Sequence, residues 1–376
     1  MNTLKQAAIN KDRARRKRVN TSSPAHSPTV KKDLQVERMA TRLREKNGEL
    51  QISPLHLDIC TLLAEHSGKP AKMKHSHHNI VSDETRDKKA TTIFNAFKQL
   101  RGLGYKIERS HSLGQKHLIA LFSLWQDQNL SASTIENRVS VLRQFCCWMG
   151  KFGIVDDAKA QLSKPLPKRA YGATSDKTWT GNGVDVLSKI EEVADENLII
   201  GLQLKLQYHF GLRRKESWLF QPCIADCLDM IELSRGTKGG RGRVIAIKTV
   251  EQRQLLDTCR SLFKGKATMV PKTYKTLKEW ENHYAYVLRK HGITKNELGI
   301  SSHGLRHEFS NEQYEKLEGV PSPIKGGVLR PQQDMDTRYR ISQMLGHGRP
   351  YVTSCYISSP GLLRRHQAET QNKDMA

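Results

Sequence analysis

The stretch from 228 to 247 most constrains how this chain can fold. Leu228, Met230 and Glu232 fall on one face and Ile231 and Leu233 on the other, and a second alternating run follows from Val244 to Ile247. Gly236 to Gly242 lies between them as the turn of a hairpin. Elsewhere the clear apolar patterns have the three- and four-residue spacing of helices. One hairpin among helices predicts a mainly α fold with a small β-sheet (α+β).

The helical pattern is clear over 85–160. Phe94, Phe97 and Leu100 form one stripe, which ends near Gly102 and Gly104, and Leu118, Leu121, Phe122 and Trp125 form the next. Ser133 and Glu136 have capping-box spacing before a helix with Ile135, Val139, Leu142, Phe145 and Met149 on one face. A small helical bundle follows from this. Lys164-Pro165-Leu166-Pro167-Lys168-Arg169 breaks the pattern, so 161–178 reads as an extended linker. Beyond it Val184, Leu187, Ile190 and Val193 predict a helix, Leu198 to Phe210 a largely buried one, and Leu277, Trp280, Tyr284 and Val287 another. A serine cap at Ser301-Ser302 is expected to start the helix carrying His303 and Arg306. The Gly/Pro-rich, polar stretch from Leu317 to Arg340 reads as an insertion or extended loop. The divisions are a basic arm (1–33), an N-terminal extension (34–84), a helical domain (85–160), the linker (161–178), a second domain (179–360) and a tail (361–376).

Charge narrows the choice of partner. The 376 residues hold 62 Lys and Arg against 38 Asp and Glu, a net +24. Residues 1–50 hold 13 of the basic and 5 of the acidic residues, so +16 remains for the rest of the chain. An excess of this size points to a polyanion such as nucleic acid, since each neutralised phosphate releases counterions. Lys11 to Arg18 then reads as a phosphate-tracking arm with a turn-rich joint at Thr21 to Pro28. Seven cysteines without framework spacing suit a reducing compartment, and Cys223-x-x-x-Cys227 lacks the close partners of a zinc site. His75, His77 and His78 read as a polar loop, because no carboxylate or cysteine lies near enough to complete a metal site. No cofactor or metal is therefore expected. No apolar run reaches membrane-spanning length, and Met1 to Lys5 leads into charges, so the expectation is a cytoplasmic protein with no membrane partner.

Four clusters carry chemistry. They are Gly211-Leu212-Arg213-Arg214-Lys215-Glu216, Thr237-Lys238-Gly239-Gly240-Arg241, His303-Gly304-Leu305-Arg306-His307, and Leu345-Gly346-His347 with Tyr356 nine residues after the histidine. Guanidinium groups suit non-bridging phosphate oxygens, a lysine or histidine can give a proton to a leaving oxygen, and a tyrosine hydroxyl can attack. Glu216, three positions after Arg213, is placed to orient it.

In this order the clusters resemble the tyrosine recombinase, or phage-type integrase, family. That family has an Arg in Gly-Leu-Arg-x-x-Glu, a hairpin Lys, His-x-x-Arg, Leu-Gly-His and a Tyr nine residues on. The resemblance implies a helical core-binding domain followed by a catalytic domain. It makes Tyr356 the nucleophile that forms a 3′-phosphotyrosyl link, and Arg213 and Arg306 the stabilisers of phosphate charge. Lys238 becomes the general acid, and His303 and His347 assist by proton transfer and hydrogen bonding. Thr134, Asn137, Arg138 and Arg143 on the third helix, with Arg214 and Arg241, are candidate DNA contacts. His303 and His347 stand 44 positions apart, more than the family pattern has. The implied partners are double-stranded DNA, a homotetramer formed on it, and accessory bending or directionality factors. The tail beyond Tyr356, with Leu362 and Leu363 beside Arg364 and Arg365, is expected to dock on a neighbouring subunit. A non-catalytic DNA-binding protein on the same fold and a type IB topoisomerase-like enzyme remain the alternatives.

Overall fold

The computed structural model describes residues 52–68, 81–237, 240 and 242–374. The basic arm, most of the stretch 34–84 with its three histidines, Lys238 and Arg241 lie outside the described residues. The chain divides into two compact units at Arg169 and Ala170.

The first unit is a helical bundle of α1 (Pro54–His66), α2 (Asp83–Gly102), α3 (Gln115–Asp127), α4 (Ala132–Trp148) and α5 (Ile154–Ala160). Local chemistry sets the ends. Ser53 and Ser82 cap α1 and α2, with Pro54 at the first position of α1 and Asp83 and Glu84 in the first turn of α2. The cap of α4 is Ser131, whose hydroxyl accepts from the Thr134 amide, and not the expected Ser133. Asn129, in the left-handed region at φ 51°, turns the chain between α3 and α4. The expected stripes meet in one core: Phe97 packs edge-on against Phe145, and Trp125 donates its indole N–H to Gln99. Ile59 and Leu63 of α1 join the same core. Leu166 packs partly against it too, and Gln126 donates to the Lys164 and Pro165 carbonyls at 3.2 and 3.1 Å.

The second unit contains α6 (Val186–Glu196), α7 (Leu198–Phe210), α8 (Arg214–Trp218), α9 (Pro222–Ala225), β1 (Met230–Leu233), β2 (Arg243–Ala246), α10 (Val250–Leu262), α11 (Leu277–Lys290), α12 (Gly304–Glu318), α13 (Pro331–Met344), α14 (Ser354–Ile357) and α15 (Pro360–Asp374). The fold is mainly helical with one two-stranded sheet. β1 and β2 pair antiparallel, with Glu232 opposite Val244, while Ile231, Leu233 and Ile245 are buried. Leu228 lies outside the strand at φ 70° and is exposed. α6 buries Val186, Ile190 and Val193 but leaves Leu187 outside, a shift of register from the expected stripe. Asn197 ends α6 and caps α7, so the two helices pack as a tight pair. α10 opens with a capping box at Thr249 and Gln252.

Two expectations need correction here. No serine side chain caps α12; it starts from a turn in which His303 is the N-cap residue and the Trp179 indole donates to the Ser301 carbonyl. Gly304 permits that approach, for a Cβ there would stand 2.7 Å from the Lys177 carbonyl oxygen. The polar stretch from 317 to 340 is also not one extended loop. α12 runs to Glu318, and α13 begins at Pro331 and buries Thr337, Arg338, Ile341 and Ser342. Its inner face is largely polar, so apolar periodicity could not reveal it.

Candidate active site

Three chain reversals bring the site together. α7 ends at Gly211, in the left-handed region at φ 60°, where a side chain would collide with the Phe309 ring. Arg213, two residues on, is the N-cap of α8. α13 ends at Leu345, and Gly346 at φ 67° turns the chain into His347. A short 3₁₀ turn, Pro350–Thr353, then leads into α14, which carries Tyr356.

Arg306 occupies the middle and is fully buried. Its guanidinium donates to the Gly211 carbonyl and, at 2.6 Å, to the Leu345 carbonyl. These are end carbonyls of α7 and α13, whose partial negative charge offsets part of the cost of burying a cation. Nε of Arg306 donates to the Tyr356 hydroxyl at 3.0 Å, and Nη2 lies 3.2 Å from His347 Nε2. That imidazole nitrogen is also 3.3 Å from the Tyr356 hydroxyl and 3.5 Å from Arg213 Nη2. Two guanidinium donors facing Nε2 make it a lone-pair acceptor, which puts the proton of a neutral His347 on Nδ1. Burial pushes Arg306 down to about 10, with Tyr356 opposing and Arg213 adding to the fall, so it stays cationic at neutral pH.

The Glu216 carboxylate lies between Arg213 and Arg243, pairs with both, and is fully buried. Its Oε1 accepts from Arg213 Nη1 at 2.6 Å, and its Oε2 from the Arg213 backbone N–H at 2.7 Å. Burial alone would raise its pKa, but the hydrogen bonds from Arg243 and the charges of Arg243, Arg213 and Arg306 hold it down at about 2. The sequence reading missed Arg243. It is the first residue of β2 and donates to both Glu216 oxygens at 2.7 and 2.8 Å. Gly346 lies against it, since a Cβ at that position would be 2.8 Å from Arg243 Cδ. Gly346→Ala is therefore expected to add about 1–3 kcal/mol of backbone strain to that clash. A lower unfolding midpoint together with weakened activity checks this; an unchanged variant contradicts it.

His303 and His307 complete the surroundings of the tyrosine, with ring centroids 5.9 and 4.9 Å from its own. His307, also missed, lies one turn after His303 in α12, and that spacing was its available signal. Burial drives His303 down to about 4, helped by Arg306 and Arg213, and drives His307 to about 3, helped by His303. Unfolded, both titrate near ~6.5. Between that value and about 4 the unfolded chain binds more protons, so stability is full above the window and is lost as pH falls through it. The urea midpoint should drop between pH 7.5 and 5, and less steeply in His307→Gln; a flat wild-type profile contradicts this.

Of the expected site residues, the structure brings together Tyr356, Arg213, Glu216, His303, Arg306 and His347. Arg214 stands apart, paired with Glu281 at 3.0 Å and lying over the Trp218 ring. In the first unit Asn137 is exposed, Arg138 lies over the Trp125 ring, and Thr134 shares a hydrogen bond with Ser131. Arg143 is held by Asp156 at 2.6 Å. Among the described residues no three His, Cys, Asp or Glu side chains converge as a metal site requires, and no helix is long and apolar enough to cross a membrane.

The fold is similar to that of lambda integrase. Residues 69–155 match the family described as "Phage integrase, N-terminal". A lambda integrase dimer bound to a COC′ core site is similar at TM-score 0.52 and 14% identity, over 75% of this chain and 73% of that one. A lambda integrase tetramer bound to a Holliday junction is similar at TM-score 0.52 and 12% identity, over 91% and 87%. No curated protein sequence matches the chain. The domain match covers part of the first unit, and the solved structures show a fold like that of lambda integrase over most of the chain.

Proposed function

We propose that the protein is a site-specific DNA recombinase that cuts and rejoins DNA through a 3′-phosphotyrosyl intermediate, in the integration or excision of a mobile element. The observation that carries this reading is the convergence of Arg306 and His347 on the Tyr356 hydroxyl, with Arg213 beside the same His347 nitrogen. The Tyr356 oxygen attacks the scissile phosphorus, its proton passing to an imidazole, and the bond to the 5′-oxygen breaks. Lys238 gives the leaving oxygen its proton. Arg213 and Arg306 hold the non-bridging oxygens as charge builds on them. His347 Nε2 is within reach of the phenol, and His303, neutral at pH 7, is available for proton transfer and hydrogen bonding. The new phosphodiester keeps the bond energy of the old, so rejoining needs no nucleotide.

The net charge of +24 supports duplex DNA as partner. The relatives of similar fold include a dimer on a core site and a tetramer on a junction, which supports assembly of four protomers on DNA. α15, set off from α14 by Ser358 at φ 59°, supplies a separate element for subunit docking. The experiment is incubation with a duplex nicked beside the scissile position in excess EDTA. A protein–DNA product that survives detergent is expected. Cleavage that appears only when magnesium is restored, with no covalent product, would contradict the reading.

A further inference from the structure

We propose that Arg243 is a positioning residue for this reaction; the inference rests on the recombinase reading. By saturating the Glu216 carboxylate, Arg243 leaves one edge of the Arg213 guanidinium open to phosphate.

A carboxylate has about four lone-pair sites. Glu216 fills them with Arg213 Nη1 and Arg243 Nη1 on Oε1, and with the Arg213 backbone N–H and Arg243 Nη2 on Oε2. The two-pronged bond, the strong geometry between guanidinium and carboxylate, therefore belongs to Arg243. Arg213 is held by one nitrogen, and its Nη2 points instead toward the Leu345 carbonyl at 3.4 Å and His347 Nε2 at 3.5 Å. Without Arg243, two lone pairs of a buried carboxylate lose their partners, and a donor close at hand is Arg213 Nη2, held only by those two long contacts. Arg213 would then close on Glu216 with both nitrogens and turn away from the phosphate.

Stability alone does not account for Arg243. It is 8% exposed and its Nε has no partner, and a buried ion pair of this kind seldom stabilises more than an apolar replacement does. Its position fits an organising role. Gly236 and Arg243 flank the turn in which Lys238 falls, and both meet α8: a Cβ at Gly236 would stand 2.8 Å from the Lys215 carbonyl oxygen. Arg243 also lies against Gly346, the residue before His347. Both described hydrogen bonds of its side chain nevertheless go to Glu216, so its hold on the site runs through the carboxylate that holds Arg213.

The test is single-turnover cleavage of the nicked duplex at saturating protein, by wild type, Arg243→Ala, Arg243→Lys, Arg213→Ala and the double variant Arg213→Ala with Arg243→Ala. Arg243→Ala should slow cleavage about 10²-fold, the scale of a misplaced catalytic group, with DNA affinity unchanged. Arg243→Lys, which keeps the charge but not the fork, should fall between it and wild type. The double variant should be no slower than Arg213→Ala, because Arg243 acts through Arg213; a merely structural role would multiply the two losses. Should Arg243→Ala not fold, Arg243→Lys alone and combined with Arg213→Ala reads the same coupling. Wild-type rates in the Arg243 variants, or multiplied losses, overturn the inference. Absence of covalent product from the wild type overturns the recombinase reading instead, and this inference with it.

Discussion

Arg306→Ala is expected to reduce covalent cleavage by at least about 10²–10³-fold, the range for removing one preorganised donor to transition-state charge. The loss should exceed that of Arg213→Ala, because Arg306 also holds parts of the site in place. Its guanidinium ties the ends of α7 and α13, through the Gly211 and Leu345 carbonyls, to the Tyr356 hydroxyl. Arg306→Lys should recover little, since an ammonium cannot reach two carbonyls and a phenol with the geometry of a planar fork. Single-turnover rates for the three variants, with unfolding midpoints to confirm folding, check this order. Near wild-type cleavage by Arg306→Lys would contradict it.

Tyr356→Phe is expected to abolish covalent product while leaving the fold and DNA affinity intact. The phenylalanine ring keeps the contacts with His303 and His307 and with the Arg306 guanidinium above it, and only the attacking oxygen goes. Adduct formation by this variant would move the nucleophile elsewhere, and Tyr351, 73% exposed in the preceding turn, would be the first place to look.

The parts of the site legible in the sequence are those with local spacing. Arg213 and Glu216 are three apart, His303 and Arg306 three apart, and His347 and Tyr356 nine apart, so local geometry brings each pair into one neighbourhood. Gly211 and Gly346, both in the left-handed region, make the chain reversals that aim Arg213 and His347. Arg243 was not legible, because its partner Glu216 is 27 residues away and an arginine in a short strand reads as a surface charge. His307 was hidden because α12 is buried on most sides by polar and apolar residues alike, which leaves no amphipathic stripe to mark its inner face. α13 failed for a related reason: Arg338 is buried there, paired with Asp334 and donating to the Ser358 carbonyl just after the tyrosine's helix. Ser131 and Ser133 both suit a cap in sequence, and the structure uses Ser131. The hairpin and the helices with a clear apolar stripe, set by alternation and periodicity, were legible in kind, while the caps of α4 and α12 were not.

The central claim is that Tyr356 itself becomes bonded to DNA. The direct measurement is to trap wild-type protein on a nicked duplex, digest the adduct, and map the nucleotide-bearing peptide by mass spectrometry. The account predicts a single modified peptide containing Tyr356, with DNA joined through its 3′-phosphate and a free 5′-hydroxyl on the released strand. A modified peptide lacking Tyr356, or a 5′-phosphate on the released strand, would contradict it.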